Sequence, residues 1–434
     1  MASPTTSASE SMQQKQSTQQ SSKPKQPQHK HDRLITRDMA LVMLATFCFM
    51  SSNMLANPIV AGYAESLGAS GTLMGVVAGS MSFISLFCRP IAGNLSDRTS
   101  KRTLVTAGTV LYFAAGLLYY FAGSPIMLIM ARVINGVGFA CCSVCLATWM
   151  SLLLPIRHMG AGMGLYGTMN ALAMAVGPAF GIRAQKYIGY RLTFLSSLVL
   201  AAIMLIATLM VKNGGQPVRK KQTSTTENPS TAVDIDGSAG ATKKHHFSIR
   251  SILEPRVVPL SLTFMMFAIA YFANQSFIMN YIEARHLPVS ADLFFMFYAV
   301  ALLVLRLGLR DLFDSKGFRF WLTVCSLGML ATLACMTFLF NDWMLLLAAI
   351  FTAIGYGLMS SVTQAQAVVI AGRERSGIAN STYYAGIDLG MSVGPFVGGL
   401  VYGRLSAVWF YPVFMLTMPV AWLIYLLCVR RVSR

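Results

Sequence analysis

Long stretches of continuously apolar residues alternate with short polar segments along almost the whole chain. Twelve stand out: Met39–Tyr63, Leu73–Ile91, Leu104–Phe121, Ile126–Leu154, Gly160–Ile182, Leu192–Val211, Val257–Tyr281, Leu293–Leu309, Trp321–Phe340, Trp343–Ile370, Gly377–Tyr402 and Ala407–Val429. A helix needs about 20 mostly apolar residues to cross the hydrocarbon core of a membrane. The runs do not alternate apolar with polar, which excludes β-barrel strands. The pattern predicts an all-α integral membrane protein with twelve transmembrane helices. The polar start of the chain and the length of the first run leave no place for a cleavable signal peptide.

Two polar segments frame the runs. Residues 1–37, rich in Ser, Gln, Lys and Pro, are expected to form a disordered cytoplasmic tail. Residues 212–256 read as a cytoplasmic linker with basic clusters at Arg219–Lys221 and Lys243–Lys244, whose end, Phe247–Leu253, is long enough to lie along a membrane surface. The linker separates six runs in 38–211 from six in 257–430.

The two sets repeat at one offset of 217 residues. Asn57 maps to Asn274, Arg89 to Arg306, Asp97 to Asp314, Arg102 to Arg319, Gly160 to Gly377 and Tyr166 to Tyr383. Gly177-Pro178 maps to Gly394-Pro395, and Gly181 to Gly398. An even number of spans per repeat makes the halves parallel, related by an axis along the membrane normal, with a shared cavity between them.

Charge adds the orientation. The chain has 34 basic and 16 acidic residues, a net charge of +18. With the N-terminal tail in the cytoplasm, 26 Lys and Arg fall on that side, 5 in the outer loops and 3 (Arg89, Arg132, Arg306) in spans. That is the positive-inside bias, and it accounts for the basicity without nucleic acid. Both termini are placed in the cytoplasm of a cell whose plasma membrane holds the chain. The third outer loop, with Arg183, Lys186 and Arg191, runs against the trend. All eight cysteines fall in spans, and no histidine does, so no metal site is expected; the CxxC spacing within Cys141, Cys142 and Cys145 reads as small-residue packing.

Span 11 carries the sharpest candidate. Gly386, Gly390, Gly394 and Gly398 recur every four residues and form a small-residue seam. Ser381, Tyr384, Asp388 and Ser392 lie on the opposing face. Asp388 is the one acid deep within a run, and an acid there faces a cavity or a partner. It is read as a proton-titrating or cation-sensing carboxylate, against the alternative of a permanently paired structural group. Arg132, well inside span 4, either relays charge and orients substrate or pairs with a neighbour. Prolines at 178 and 395 bend spans 5 and 11 at matched places.

After span 2 the chain reads Gly93-Asn-Leu95-Ser96-Asp97-Arg98-Thr-Ser-Lys101-Arg102. Read alone, this is a short basic loop whose glycine lets helices approach and whose cations can hold lipid headgroups. It resembles the G-x-L-S-D-R-x-G-R-R signature of the major facilitator superfamily, departing at Ser100. A worn copy, Arg310-Asp-Leu312-Phe-Asp314-Ser-Lys316-Gly317-Phe-Arg319, follows span 8. Arg132-Val-Ile-Asn135-Gly136-Val-Gly138 is similar to the family's R-x-x-x-G-x-G pattern. Gly177-Pro178-Ala-Phe-Gly181 resembles its antiporter signature, departing at Ala173 and Ile182. The segment Asn380–Tyr384 looks most like bacterial drug or small-molecule exporters.

The resemblance implies a carrier of alternating access whose halves rock about a central site. It implies a gating loop of Gly93, Asp97, Arg98 and Arg102 with Asp314 and Arg319, the two acids meeting the ends of spans 11 and 5 near Gly377 and Gly160. It also implies a cavity lined by spans 1, 4, 7 and 10: Asn53, Asn57, Arg132, Asn135, Tyr271, Asn274, Tyr356 and Gln364, with Tyr384 from span 11. Each of these polar groups reads equally as glue between helices. There is no GxxxxGK[ST] loop, so ATP is not the energy source within this chain. The expected activity is proton-coupled efflux of a small organic molecule by a monomer without cofactor. Proton-coupled uptake stands as the alternative. A channel, a receptor or an intramembrane enzyme fits the pattern less well.

Overall fold

The computed structural model describes residues 36–154, 159–216, 253–309, 312, 316–372 and 375–432. Every regular element among them is helical. The first half holds α1 (Arg37–Ser66), α2 (Gly71–Arg98), α3 (Lys101–Phe121), α4 (Pro125–Leu153) and α5 (Met159–Met210). The second holds α6 (Val258–Ala284), α7 (Ala291–Gly308), α8 (Phe318–Thr337), α9 (Asp342–Ala371), α10 (Ser376–Arg404), α11 (Phe410–Met415) and α12 (Thr417–Val432).

Ten helical runs among the described residues are long and apolar enough to cross a membrane. One of them, α5, has 52 residues. At 1.5 Å per residue it is roughly 78 Å long, against a hydrocarbon core of about 30 Å. It is broken at Gly189, where φ is 77°, a left-handed value that favours a residue without Cβ. It therefore supplies two of the expected crossings. Helix α7, apolar but only 18 residues long, supplies the eighth, and α11 with α12 supplies the last. Exposed Leu, Ile, Val and Phe along these helices, such as Val199, Ile206, Leu423 and Leu427, form the surface that meets lipid.

Local chemistry starts the helices at the turns between spans. The hydroxyl of Ser70 accepts from Leu73 N, that of Ser124 from Met127 N, and the amide oxygen of Asn341 from Met344 N. Pro125 follows Ser124 at the first helical position, where its missing N–H costs nothing.

The stretch 93–102 is not a loop. Helix α2 continues to Arg98, and Lys101 already opens α3. Two of its three cations turn inward. Lys101 is buried and donates to Ser96 O, and Arg102 donates to Val211 O. Ser100 Oγ donates to Gly214 O at 2.6 Å, and Trp149 Nε1 donates to Asn213 O at 2.9 Å. Asp38 accepts from the backbone of Lys212 and Asn213. Arg102, Ser100, Trp149 and Asp38 thus tie the chain just past α5 to the starts of α1 and α3 and to α4, satisfying its free carbonyls and N–H groups, while Lys101 caps the end of α2. Arg98 and Arg319 stay exposed. At the other end of the expected linker, Glu254 pairs with Arg375 at 2.6 Å, and its N–H donates to Thr382 Oγ1. Residues 1–35, the span 217–252 with both basic clusters, Asp314 and the side chain of Asp97 lie outside the described residues. So do the contacts expected for those acids at Gly160 and Gly377.

The glycine seam of α10 packs as its spacing predicts. Gly386 meets Ser261, Gly390 meets Ala268, Gly394 meets Ile269 and Gly398 meets Phe277, all on α6. The equivalent glycines of α5, Gly177 and Gly181, pack on Ser51, Met54 and Leu55 of α1. The repeat in sequence is thus a repeat in packing, with Pro178 and Pro395 inside the two helices at matched places.

The other face of α10 crosses to the first half. Gly71, Gly75 and Gly79 of α2 lie against the backbone of Gly403, Gly399, Pro395 and Ser392. A Cβ on Gly75 would stand 2.6 Å from Pro395 O and 3.0 Å from Gly399 Cα. Gly93, by contrast, has nothing within 4 Å of where its Cβ would be, so close approach is not what its lack of a side chain provides here. Gly75→Ala and Gly399→Ala should therefore lower the thermal unfolding temperature, by a cost of roughly 1–3 kcal/mol for overpacking. Gly93→Ala should leave it unchanged. Unfolding of the three purified variants in one detergent checks the contrast.

Candidate functional site

Asp388 sits 12 residues into α10, roughly 18 Å along its axis, and is 1% exposed. Its partner is Arg89 of α2, in the other half. Arg89 Nε donates to Asp388 Oδ2, and Arg89 Nη2 donates to Oδ1 at 3.0 Å. This is a two-pronged guanidinium–carboxylate pair, the geometry that best offsets removing both charges from water. Arg89 also donates to Ser143 Oγ at 3.4 Å, and its guanidinium lies over Phe139 and Tyr384 at 5.4 and 5.8 Å. Gln364 Nε2 donates to Asn380 Oδ1 at 3.3 Å and to the Tyr384 hydroxyl at 3.5 Å. Helices α2, α4, α9 and α10 thus meet around one buried ion pair. Ser381 and Tyr384 are exposed on its flank.

Sequence reasoning set Asp388 opposite the glycine seam and named no partner for it; the structure pairs it with Arg89. The apolar run ends at Ile91, which sets Arg89 at a membrane edge. In fact α2 continues about two turns further, so Arg89 lies within the helix, and its side chain is half-buried. The signal available was the pairing of Arg89 with Arg306 in the repeat. Phe139 and Ser143 carried no signal of their own.

Arg132 does not meet Asp388. It is 2% exposed inside the first half. It donates to Val77 O at 3.2 Å, to Ala78 O and to Asn57 Oδ1 at 3.1 Å. It is a clamp between α1, α2 and α4. Asn274, the repeat mate of Asn57, accepts from Tyr411 at 2.8 Å within its own half. Both asparagines are therefore engaged in holding bundles together. Asn53 and Asn135 are buried, with Asn53 Oδ1 and Nδ2 and Asn135 Oδ1 unpaired. Tyr271 and Tyr356 stack at 4.0 Å with rings 2° from parallel. Tyr356 lies on a π-helical turn, Ala353–Leu358, within α9; such turns recur at functional sites.

At the face opposite the linker the halves touch again. Glu65 of α1 accepts from Asn280 of α6 and from Tyr402 of α10, the latter at 3.2 Å. Deeper in, Gln275 Nε2 points to Met54 Sδ at 3.7 Å. Above these contacts lies a vestibule of about 980 Å³, with Glu65, Tyr190, Tyr402 and the ion pair Arg183–Asp292 (3.7 Å) in its walls.

Known proteins agree with this architecture. An uncharacterized MFS-type transporter of Methanocaldococcus jannaschii is 22% identical over 380 residues, covering 86% of this chain and 92% of that protein. The human synaptic vesicular amine transporter is 26% identical over 199 residues, 46% of this chain and 38% of its own. The staphylopine export protein of Staphylococcus aureus is 27% identical over 139 residues, 32% of this chain and 35% of its own. Among solved structures, the nucleoside transporter NupG gives a TM-score of 0.68 at 11% identity, covering 92% of this chain and 100% of that chain. A POT family transporter gives 0.71 at 12%, covering 92% and 97%. At such identities the likeness is one of fold. The model of the Major Facilitator Superfamily matches residues 42–341 and 312–434. The chain belongs to that superfamily and is a secondary transporter, not an enzyme.

Proposed function

We propose that the chain exports small organic solutes in exchange for protons, and that the Arg89–Asp388 pair couples the two movements. The observation that carries this reading is a buried carboxylate whose ion-pair partner stands on the opposite half. Protonation of Asp388 removes its charge and with it the pull on Arg89. The halves are then held along α2 and α10 by glycine packing alone. Deprotonation restores the pair and draws the helices together. A proton can thus be exchanged for a change in how the halves sit, which alternating access requires.

The state described here is closed at the face opposite the linker, through Glu65, Asn280, Tyr402 and the α2–α10 seam. Tyr384, Ser381 and Gln364 line the approach from the linker side. With the basic bias placing that side in the cytoplasm, this is a loading state. The name of the staphylopine export protein supports the outward direction, as do the glycine-proline patterns of α5 and α10.

Two measurements test the reading. In inside-out vesicles with a proton gradient, a panel of lipophilic cations, antibiotics and small organic acids should dissipate the gradient with wild type. Asp388→Asn and Arg89→Gln should each abolish this. Removing one partner of a buried pair costs roughly 3–5 kcal/mol, so both single variants should unfold at lower temperature. The double variant should recover most of that stability and none of the coupling. Full coupling in the double variant would exclude the pair from proton transfer. The orientation is checked separately: protease added to sealed right-side-out vesicles should spare the N-terminal tail, and added to inside-out vesicles should cut it.

A further inference from the structure

The helices that begin the two repeats both end on an acid. Glu65 stands in the last turn of α1 and Glu283 in the last turn of α6, and neither turn holds a cation. A negative charge there opposes the helix dipole. For Glu65 the other half of the molecule offsets that cost. Its carboxylate accepts from Asn280 Nδ2 on α6 and, at 3.2 Å, from the Tyr402 hydroxyl on α10. Both donors are neutral, and no ion pair among the described residues includes Glu65. Adding 217 to Glu65 gives Ile282, so the repeat supplies no second copy of this acceptor.

The bonds lie at the vestibule. Glu65 and Tyr402 line it, and Glu65 is exposed, so a proton from that side reaches it. Asn280 is 2% exposed, and its Oδ1 is buried and unpaired. The bond to Glu65 is thus the one hydrogen bond of that amide among the described residues. Packing around it is tight: a Cβ on Gly62 would stand 2.6 Å from Tyr190 Oη and 3.6 Å from Asn280 Nδ2. Met279 is still in the vestibule wall. One turn deeper on α6, Gln275 meets Met54 of α1 and is 0% exposed. The Glu65 bonds therefore stand between the vestibule and the middle of the α1–α6 contact.

Charge decides the strength of these bonds. A hydrogen bond to an ionised carboxylate is roughly twice as strong as one between neutral groups. A proton on Glu65 removes that advantage, and a buried amide that loses its acceptor is costly until water reaches it. The vestibule, open to solvent, can supply that water. Glu283 lines the same space and repels Glu65, which works against closure, but it is exposed and water screens it. From α5 the wall also carries Lys186, Tyr187, Tyr190 and Arg183, the last paired with Asp292 of α7; His286 follows α6. Arg285 is turned to the Tyr281 hydroxyl and Thr337 O, and Arg404 of α10 is exposed.

We infer that Glu65 is a proton-sensitive latch. Ionised, it holds α1 to α6 and α10 and keeps this face shut; protonated from the vestibule, it releases both helices and lets the face open. The inference rests on the halves alternating, as proposed above, and adds the group that admits the outer solution. It does not require Asp388 to carry the exchanged proton.

The test is the reactivity of a cysteine behind the latch. Full-length Gln275→Cys in sealed right-side-out vesicles is treated from outside with a membrane-impermeant maleimide, without substrate and with equal pH on both sides. Labelling is corrected for the parent chain. Its rate is divided by that of Ser406→Cys, exposed just beyond α10, which cancels the effect of pH on thiols and reports that this face is outside. Between about pH 7.5 and about pH 5, towards the range where glutamates take up protons, the ratio should rise at least about fivefold. Glu65→Gln keeps the shape without the charge and should give the high ratio at both values. Tyr402→Phe deletes one donor; it should raise the ratio at the higher pH and keep part of the rise, and it serves if Glu65→Gln does not fold. His286→Gln, Glu283→Gln and Asp388→Asn remove the other groups that could sense the change, and each should keep the rise. A ratio that does not move with pH, a full rise remaining in Glu65→Gln, or its loss in any of the three controls would overturn the inference.

Discussion

A carboxylate in the interior of a membrane bundle stays charged only while a cation and its hydrogen bonds replace water. Asp388 meets that condition through a single guanidinium, and the guanidinium belongs to the other half of the molecule. The two halves are thereby joined by an interaction whose strength depends on one proton. Everything else along α10 serves to set that contact. Its glycine face lies flat on α6 and fixes the helix in its own half. Its opposite face is left to cross the interface, with Ser392, Pro395, Gly399 and Gly403 close on α2 and Asp388 beyond them. Where backbones approach so nearly, a change in the ion pair is transmitted as a movement of helices rather than absorbed by side chains.

The two cross-half contacts that the repeat generates are not alike. Gly71, Gly75 and Gly79 of α2 correspond to Pro288, Asp292 and Met296, and Gly399 and Gly403 of α10 correspond to Ile182 and Lys186. One seam is backbone on backbone. The other is side chain on side chain, held at its end by Arg183–Asp292 and bordered by the vestibule, whose lining includes Ile182, Lys186 and Asp292. The close seam suits a pivot and the wider one suits the opening side. Side chains can part and rejoin, whereas backbones packed on glycine lose contact entirely when they move apart.

Much of this was legible in the residues. The apolar runs, the fixed offset and the four-residue glycine row predict the helices, the parallel halves and the packing of α10, since each is a periodic property that only one arrangement satisfies. Asp388 stood out because a lone acid in an apolar run is physically expensive. What could not be read was the partner. Arg89 lies two residues from the end of its apolar run because hydropathy falls where charge begins, while α2 keeps its backbone hydrogen bonds to Arg98. For the same reason the stretch 93–102 reads as a loop. Lys101 and Arg102 look like headgroup ligands, but free carbonyls at the ends of α2 and α5 needed donors and lay nearer. Asn57 and Asn274 read equally as cavity residues and as glue between helices, and in the structure they bond to Arg132 and Tyr411.

Three arginines lie within the spans, and their surroundings divide the work among them. Arg132 is satisfied by two backbone carbonyls and an asparagine. None of these can gain or lose a proton near neutral pH, so its contacts are permanent and it serves architecture. Arg89 is satisfied by a carboxylate, which can be protonated, so its contact is conditional and it can serve coupling. Arg306 has tyrosines about it and no ion-pair partner among the described residues. Gene duplication alone would have made Arg89 and Arg306 equivalent. An acid on α10 meets Arg89, and the position equivalent to that acid on α5 is Ala171, so the repeat does not treat its two arginines alike.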